Sequence, residues 1–539
     1  MRFNRRLLLT AGLAVFLVVS VLVLLSFTYT VGPQIRVVVY AYRDAITGID
    51  PSVEFDTGIV VLGSVYEPLL YYNPLTNQFT SALAVSWAKV NETFWVFKLR
   101  SNVVFHDGTP LTVEAVRFSI LRTKAMYDEA GLGPGYIWSS LEDVVTVNKT
   151  AVGFKLKYPA PLDLIASASY GAYVYSPRVL EYSKARNLTD KSIRSWFESG
   201  RSLGSGPYYI EYYDPVSEVR LRKFEKWWGW AEVGNPRAPD LVVIKIVSDP
   251  VTQVVGLRGG SIHIAMAIPK AEIRSLVSEG FKLIKQHTYY SYILMLNTRR
   301  WPTNITEFRL AILHAIPGDE LIDRALYGHG IPGSGIIPYG YPGYVDGLRF
   351  KHDLGLAREY LRKAGLEGSG AEIEIVVTAG YEEEEIFAML LKSELLKLGI
   401  KLAIRSYPWE TVKEYGAAVW RNPEEAPHLI INDWWPTYPT PYDYLYLVRC
   451  DSIEWNWSGY CNKELDELLD LAYSLEGVDY GKALELYRKA QRMVFQEAVA
   501  VSLWTVIQTY VTRPNVRIRD GALNPTYMYV ILFQFVEVH

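Results

Sequence analysis

This 539-residue sequence predicts an α/β fold behind an N-terminal transmembrane helix, and three observations support that class. An apolar run from Leu7 to Phe27 meets polar side chains only at Thr10, Ser20 and Ser26. About 20 apolar residues suffice to cross a bilayer. Glu372 to Thr378 and Ile400 to Ile404 read as strands flanking a helical pattern from Glu382 to Leu398. A strand, helix, strand of that length implies a parallel, right-handed crossover. Phe94 to Leu99 and Val103 to Phe105 are apolar-alternating runs that lead through Asp107-Gly108 into a helical pattern. Both residues of that dipeptide tolerate positive φ, so it is a tight-turn signal.

Taken in order, Arg2, Arg5 and Arg6 precede the apolar run and place the N-terminus in the cytoplasm. A secretory signal is normally shorter and ends in a small-residue cleavage site. No clear A-x-A follows, and no Cys that could take a lipid, so residues 1–31 read as an uncleaved signal anchor; cleavage near Ser26 to Thr30 is the alternative. The remaining chain then lies outside the cytoplasm. Val37 to Tyr40 is a first strand. Thr112 is an N-cap, with Glu114 in the first turn and Val113, Val116 and Ile120 apolar. Gly204 to Ile210 is a turn into a strand, and Leu241 to Val247 a buried strand. Asp353 to Ala364 is a helix with Leu354, Ala357 and Leu361 inward and Gly365 as its stop. In the Glu382 to Leu398 helix the inward set is Ile386, Leu390 and Leu396. Glu464 to Tyr473 and Lys482 to Val499 are long amphipathic helices, and Val501 to Val511 returns toward the start of the fold.

Several chemistries are excluded. A net charge of −3 leaves no basic face for nucleic acid. The eight histidines are scattered, with no i, i+4 pair and no Cys pair at zinc spacing, so no metal and no cofactor is expected. No G-x-S-x-G elbow and no P-loop occur. Gly328 to Gly333 matches G-x-G-x-x-G by letter, but Pro332, Gly335 and Pro338 deny it a helix and make it an irregular loop. Glu382 to Glu385 reads as a solvated first turn, stabilised by the helix dipole, against the alternative of a cation site. Sequons at Asn91, Asn148, Asn187, Asn304 and Asn456 permit glycosylation. The two cysteines, Cys450 and Cys461, are expected to form a disulfide in an oxidising compartment, against the alternative of two buried thiols.

The segment Asn432 to Tyr444 holds Trp434, Trp435, Tyr438, Tyr442 and Tyr444 among Pro436, Pro439 and Pro441. The prolines deny it a regular helix or central strand. Aromatic side chains with a few polar neighbours suit a ligand pocket. The alternative is a buried aromatic plug between two parts of the fold.

The stretch Trp87 to Ser119, with Phe105-His106-Asp107-Gly108-Thr109-Pro110-Leu111-Thr112, resembles the signature of the family 5 extracytoplasmic solute-binding proteins. These are the dipeptide-, oligopeptide- and nickel-type receptors of ABC importers. Glu67-Pro68-Leu69-Leu70, Gly204-Ser205-Gly206-Pro207-Tyr208, Asn297-Thr298 and Phe308 to Ile312 resemble further motifs of that family. His106 and Asp107 read as turn and strand-end residues. The resemblance implies a two-lobed, periplasmic-binding-protein-like α/β fold of type II, cluster C, with an extra subdomain. Lobe I would comprise 34–70, 204–292 and 506–539, the extra subdomain 71–203, and lobe II 293–505.

It also implies a non-enzymatic, monomeric receptor that closes on a small-molecule ligand and hands it to ABC permease subunits served by a separate ATPase. Trp409 matches a Trp that borders the cleft in peptide receptors. In those receptors an Asp four residues before the counterpart of Pro439 pairs with the peptide ammonium. Here that position is Trp435, and Asp433, two residues earlier, would point the same way in a strand. Glu54, Phe55, Asp56 and Tyr66 are cleft candidates by position. Oligopeptide is the expected ligand. The missing acid and the aromatic loop leave oligosaccharide as the alternative, with Trp409, Trp434 and Trp435 as stacking surfaces. A membrane-anchored secreted hydrolase and a ligand sensor are the readings from other classes.

Overall fold

The computed structural model describes residues 35–539 apart from 75, 77, 169 and 528. The expected anchor at residues 1–31 lies outside the described residues. Among the described residues, no helix is long and apolar enough to cross a membrane.

One sheet of eleven strands organises the molecule. Its members are β1 (Val37–Tyr42), β2 (Tyr208–Asp214), β3 (Glu218–Lys223), β4 (Leu241–Ile246), β5 (Ile264–Ala265), β6 (Lys282–Leu296), β7 (Gly330–Pro332), β8 (Glu372–Thr378), β9 (Lys401–Tyr407), β10 (Leu429–Trp434) and β11 (Ala500–Thr512). Their order is β9-β8-β10-β6-β11-β5-β1-β4-β3-β2, with β7 pairing β11. The two lobes are the ends of this order. One gathers on β1, which runs parallel to β4 and β5. The other gathers on β8, parallel to β9 and β10. The long antiparallel pair β6 and β11 joins them, with register irregularities between His287 and Ser291 and between Tyr292 and Ile293. Both boundaries expected between the lobes, 292/293 and 505/506, fall inside these two strands.

A separate antiparallel sheet in the order Ala84–Asn91, Phe94–Leu99, Ala151–Leu156, Leu141–Asn148 lies within the segment expected as a subdomain. It has its own core, with Phe97, Phe105, Ile120, Trp138 and Phe154 buried together. Helix α1 (Ile59–Val65) precedes it, and α2 (Val113–Ala130) packs on it. The Thr112 side chain accepts from the Ala115 amide as α2 begins. Behind the turn, Asp50 and Arg122 form a buried bidentate ion pair, Nη1 to Oδ1 at 2.6 Å, that ties α2 to the loop after β1.

Several expectations are corrected. Val103 to Phe105 is not a strand. Gly108 (φ 82°) turns the chain so tightly that Phe105 and Thr109 already pair, which leaves an isolated bridge between Val104 and Pro110. The Gly328 to Gly333 loop contains β7, because β11 offers it free backbone groups at Trp504 to Val506. β4 is half-buried, with only Val242 and Ile244 inside. Helix α3 (Glu382–Lys397) buries Phe387, Ala388, Leu391 and Leu395, while Leu396 is 66% exposed and Ile386 and Leu390 are half-buried. Its first turn is not a solvated run, since Glu384 is buried and its Oε2 accepts from the Thr378 amide at 2.7 Å.

Candidate functional site

Parallel strands present their carboxyl ends to ligands. Here the ends of β1, β8 and β10 converge where the lobes meet. The chain leaving β1 delivers Arg43 and Asp44; β10 delivers Asp433; the N-cap and first turn of α3 deliver Tyr381, Glu383 and Glu384. The Arg43 guanidinium lies 4.2 Å from the centre of the Tyr381 ring, across the junction.

Asp433 is buried and accepts a hydrogen bond from the Tyr290 hydroxyl through Oδ2. Its Oδ1 is buried without a hydrogen-bond partner among the described residues. Burial, opposed by the Tyr290 bond and aided by the Asp56 charge, pushes the Asp433 carboxyl up to about 6. Trp435 packs edge-on against the same Tyr290 ring at 5.4 Å, so Asp433 and Trp435 do face one way, as the strand pattern requires. The Trp435 indole donates to Tyr170 Oη at 3.1 Å, and Tyr170 donates to the Asp56 carbonyl at 3.1 Å. That chain of contacts bridges the lobes.

Neighbouring carboxyls diverge. Burial and then the Asp433 charge hold Glu384 well above the carboxylate range. Glu383 accepts from Tyr292 at 3.1 Å; burial alone would raise it, but Lys270 and Arg43 hold it below its usual value. Burial raises Asp56 to about 6 against the pull of Lys413.

The other candidates divide. Glu54 is buried in its own loop, where Oε1 accepts from Thr47 at 2.8 Å and from the amides of Asp56 and Gly58. Burial and the Asp56 charge raise it to about 7. Phe55 is 38% exposed. Tyr66 is a core side chain packed on Tyr173, Tyr175 and Phe197, so position in the chain misplaced it. Tyr438 likewise joins the core of the extra subdomain. Tyr442 lies against Tyr473 at 4.7 Å. Trp409 opens helix α4 (Trp409–Arg421) and packs on Trp457 at 5.6 Å, while Trp434 packs on Trp455 at 5.2 Å. The buried-plug alternative thus describes part of the aromatic loop. Asp443 pins it, accepting from the Thr437 amide at 3.0 Å and the Trp434 indole at 3.2 Å. A short helix begins at Pro441, which suits the first helical position.

His106 is structural: its Nε2 lies 3.1 Å from the Gly206 carbonyl, and burial lowers its pKa to about 4. The structure pairs Cys450 with Cys461. No cluster suited to a metal occurs among the described residues. Sequence reasoning passed over Arg43, Tyr290 and Tyr381, and read Glu384 as part of a solvated turn. The signal available was a charged pair, Arg43-Asp44, directly after a β-branched run.

Two lobes joined by two crossing strands, with ionised and aromatic side chains at their junction, define a two-lobed solute-binding protein. The chain belongs to the bacterial extracellular solute-binding proteins, family 5, whose model matches residues 78–454. It is 26% identical over 498 residues to the probable D,D-dipeptide-binding periplasmic protein of Escherichia coli K12, covering 88% of this chain and 89% of that one. The fold is similar to the Helicobacter pylori periplasmic binding protein DppA in complex with the peptide STSA, at 23% identity and a TM-score of 0.77 over 93% of this chain and 98% of that one. It is also similar to the dipeptide-binding protein of Pseudoalteromonas sp. SM9913 in complex with Met-Leu, at 20% identity and a TM-score of 0.79 over 94% and 100%.

Proposed function

We propose that this chain is the extracytoplasmic receptor of an ABC importer, and that it captures an oligopeptide between its lobes without covalent chemistry. The observation that supports a peptide is Asp433, a buried carboxylate with one free oxygen at the lobe junction. A ligand ammonium would supply the charge-assisted partner that oxygen lacks. Asp433 would thus take the role that the resemblance assigns two positions later. Lobe I would be 34–70, 204–292 and 506–539, lobe II 293–505, and 71–203 the added subdomain. The irregular register at His287 to Tyr292 would act as the hinge. The closed form would be presented, as a monomer, to permease subunits with a separate ATPase. Residues 1–31 would hold the receptor on the membrane.

Oligosaccharide is disfavoured because Trp409 and Trp434 are half-buried against Trp457 and Trp455, which reduces the flat surface that sugar rings need. The test is thermal stability of the full chain against a peptide pool and an oligosaccharide pool. A ligand at a hundred times its Kd adds about 2.7 kcal/mol. We expect a shift with peptides only, reduced at least ~10-fold in affinity by Asp433→Asn, as for loss of a charged hydrogen bond. A shift with oligosaccharides only would overturn the peptide reading, and turnover of either pool would overturn the receptor reading.

A further inference from the structure

The five sequons play no part in ligand capture, and the structure divides them. Asn91 ends the strand Ala84–Asn91 in the turn before Phe94–Leu99, and Asn148 ends Leu141–Asn148 in the turn before Ala151–Leu156. Asn187 lies in the loop between the helices Val179–Ser183 and Lys191–Glu198, and Asn304 in the turn before the helix Thr306–His314. All four are exposed. The side-chain oxygens of Asn91 and Asn148 accept from the amides of Thr93 and Thr150, at 3.0 and 2.9 Å. No hydrogen bond engages Nδ2 of any of the four among the described residues. Asn456 is the opposite case. It is fully buried in the loop closed by Cys450 and Cys461, and its Nδ2 donates to the Arg449 and Tyr460 carbonyls, both at 2.8 Å.

Two further observations follow the same division. All four exposed sequons end in Thr and the buried one in Ser, although Ser outnumbers Thr in the chain. The hydroxyl two residues on orients the Asn carboxamide as a nucleophile, and Thr, stiff at χ1, holds it in place better than Ser. Three exposed sequons also adjoin a bare apolar side chain. Val90, 59% exposed, precedes Asn91, and Val147, 47% exposed, precedes Asn148. Trp301, 56% exposed, shares a turn with Asn304, whose amide donates to the Arg300 carbonyl. A sugar on the neighbouring Asn could lay the apolar face of its ring over each of these side chains and remove that surface from water.

We propose that Asn91, Asn148, Asn187 and Asn304 are N-glycosylation sites and that Asn456 is not. The donor is a lipid-linked oligosaccharide. The bond between its sugar C1 and the lipid phosphate breaks, a bond from C1 to Asn Nδ2 forms, and Nδ2 gives up one proton as the lipid phosphate leaves. At Asn456 a glycan would replace an N–H that pairs with a buried carbonyl, inside the loop that carries Trp455 and Trp457. Three of the four sites lie within 71–203, so this segment carries most of the coat. The inference rests on the extracytoplasmic part of the reading above, because the transfer takes place on the outer side of the membrane.

The experiment is peptide mapping by tandem mass spectrometry of the full chain isolated from its own cells, which are first treated intact with a membrane-impermeant amine reagent. We expect reagent on exposed lysines, sugar mass on the peptides of the four exposed sites, and the Asn456 peptide at its sequence mass. Thr150→Ala should strip Asn148 and leave the other sites occupied. Ser458→Thr separates burial from sequon quality: no fifth glycan is expected, and one at Asn456 would overturn burial as the selector. The wild-type map needs no variant, so misfolding of Ser458→Thr cannot mask the answer. Labelled lysines with all four sites bare, or sugar at Asn456, would overturn the proposal and leave the receptor reading standing. Unlabelled lysines would place the chain inside the cell and sink both.

Discussion

Glu67 receives four hydrogen bonds in a fully buried site: from Tyr71 and Trp227 on Oε1, and from Ser205 and Trp228 on Oε2. All four favour the ionised form, yet burial outweighs them and lifts the carboxyl to about 7. Glu67→Gln keeps one acceptor oxygen and turns an amide toward donors. Each orphaned donor costs about 1–3 kcal/mol, so we predict a lower Tm by calorimetry at pH 7.5; an unchanged Tm would refute the account. The same residue scale shows what the sequence could say. Thr112 and the Asp107-Gly108 turn were legible because caps and turns are decided within four residues. Tyr66 and Tyr438 were misplaced because an aromatic ring looks alike in a core and in a cleft. Arg43 was passed over because a charged pair such as Arg43-Asp44 reads alike at a solvated strand end and where guanidinium nitrogens are buried without hydrogen bonds.

At the scale of elements, α4 turns on Gly416. Helix propensity alone favours Ala there by about 1 kcal/mol. A Cβ at that position, however, would enter the ring of fully buried Trp457, which carries Trp409 and stacks on Trp455. Overpacking a close contact costs about 1–3 kcal/mol, so packing wins. Gly416→Ala is therefore predicted to lower the Tm and, by displacing Trp409, to weaken ligand binding; a raised Tm would show that the propensity term governs. Element positions were largely legible from periodicity: β8, α3 and β9 stand where the crossover pattern put them, and β8 and β9 are parallel. The inward face of α3 was not. Apolar residues occur on both sides of that helix, and its buried stripe is shared by a carboxylate, Glu384, whose bond to the Thr378 amide offsets its burial. Hydrophobic pattern cannot announce a buried acid.

At the scale of the whole molecule, the junction of the lobes gathers more acid than base, and this makes capture sensitive to pH. Asp433 and Asp56 are each raised to about 6, Glu54 is raised to about 7, and Glu384 stands well above the usual range. Arg43, Lys413 and Lys270 are the opposing charges there. Two effects follow, with opposite signs. If Asp433 holds a ligand ammonium, as proposed, it must be ionised to do so, and affinity is then expected to be full above about pH 7 and to fall as pH drops through 6, by up to ~10-fold per unit below that pKa. Protonation also removes the repulsion between Asp56 and Asp433 across the lobes, so closure without ligand becomes easier in acid. The raised carboxyls also make the folded state more stable in acid. Their folded pKa values exceed ordinary carboxylate values of about 4, so the folded state holds extra protons between pH 4 and 7 and loses that advantage as pH rises. We therefore predict that the ligand-free protein has a smaller radius of gyration and a higher Tm at pH 5.5 than at pH 8, while peptide affinity is lower at pH 5.5. Scattering and calorimetry at the two pH values check these together. Asp433→Asn should flatten the pH dependence of affinity, since no carboxyl then titrates beneath the ammonium. Affinity that is flat from pH 5 to 8 in the wild type would remove Asp433 from the binding step, because no ionised partner of the ligand could then titrate near 6.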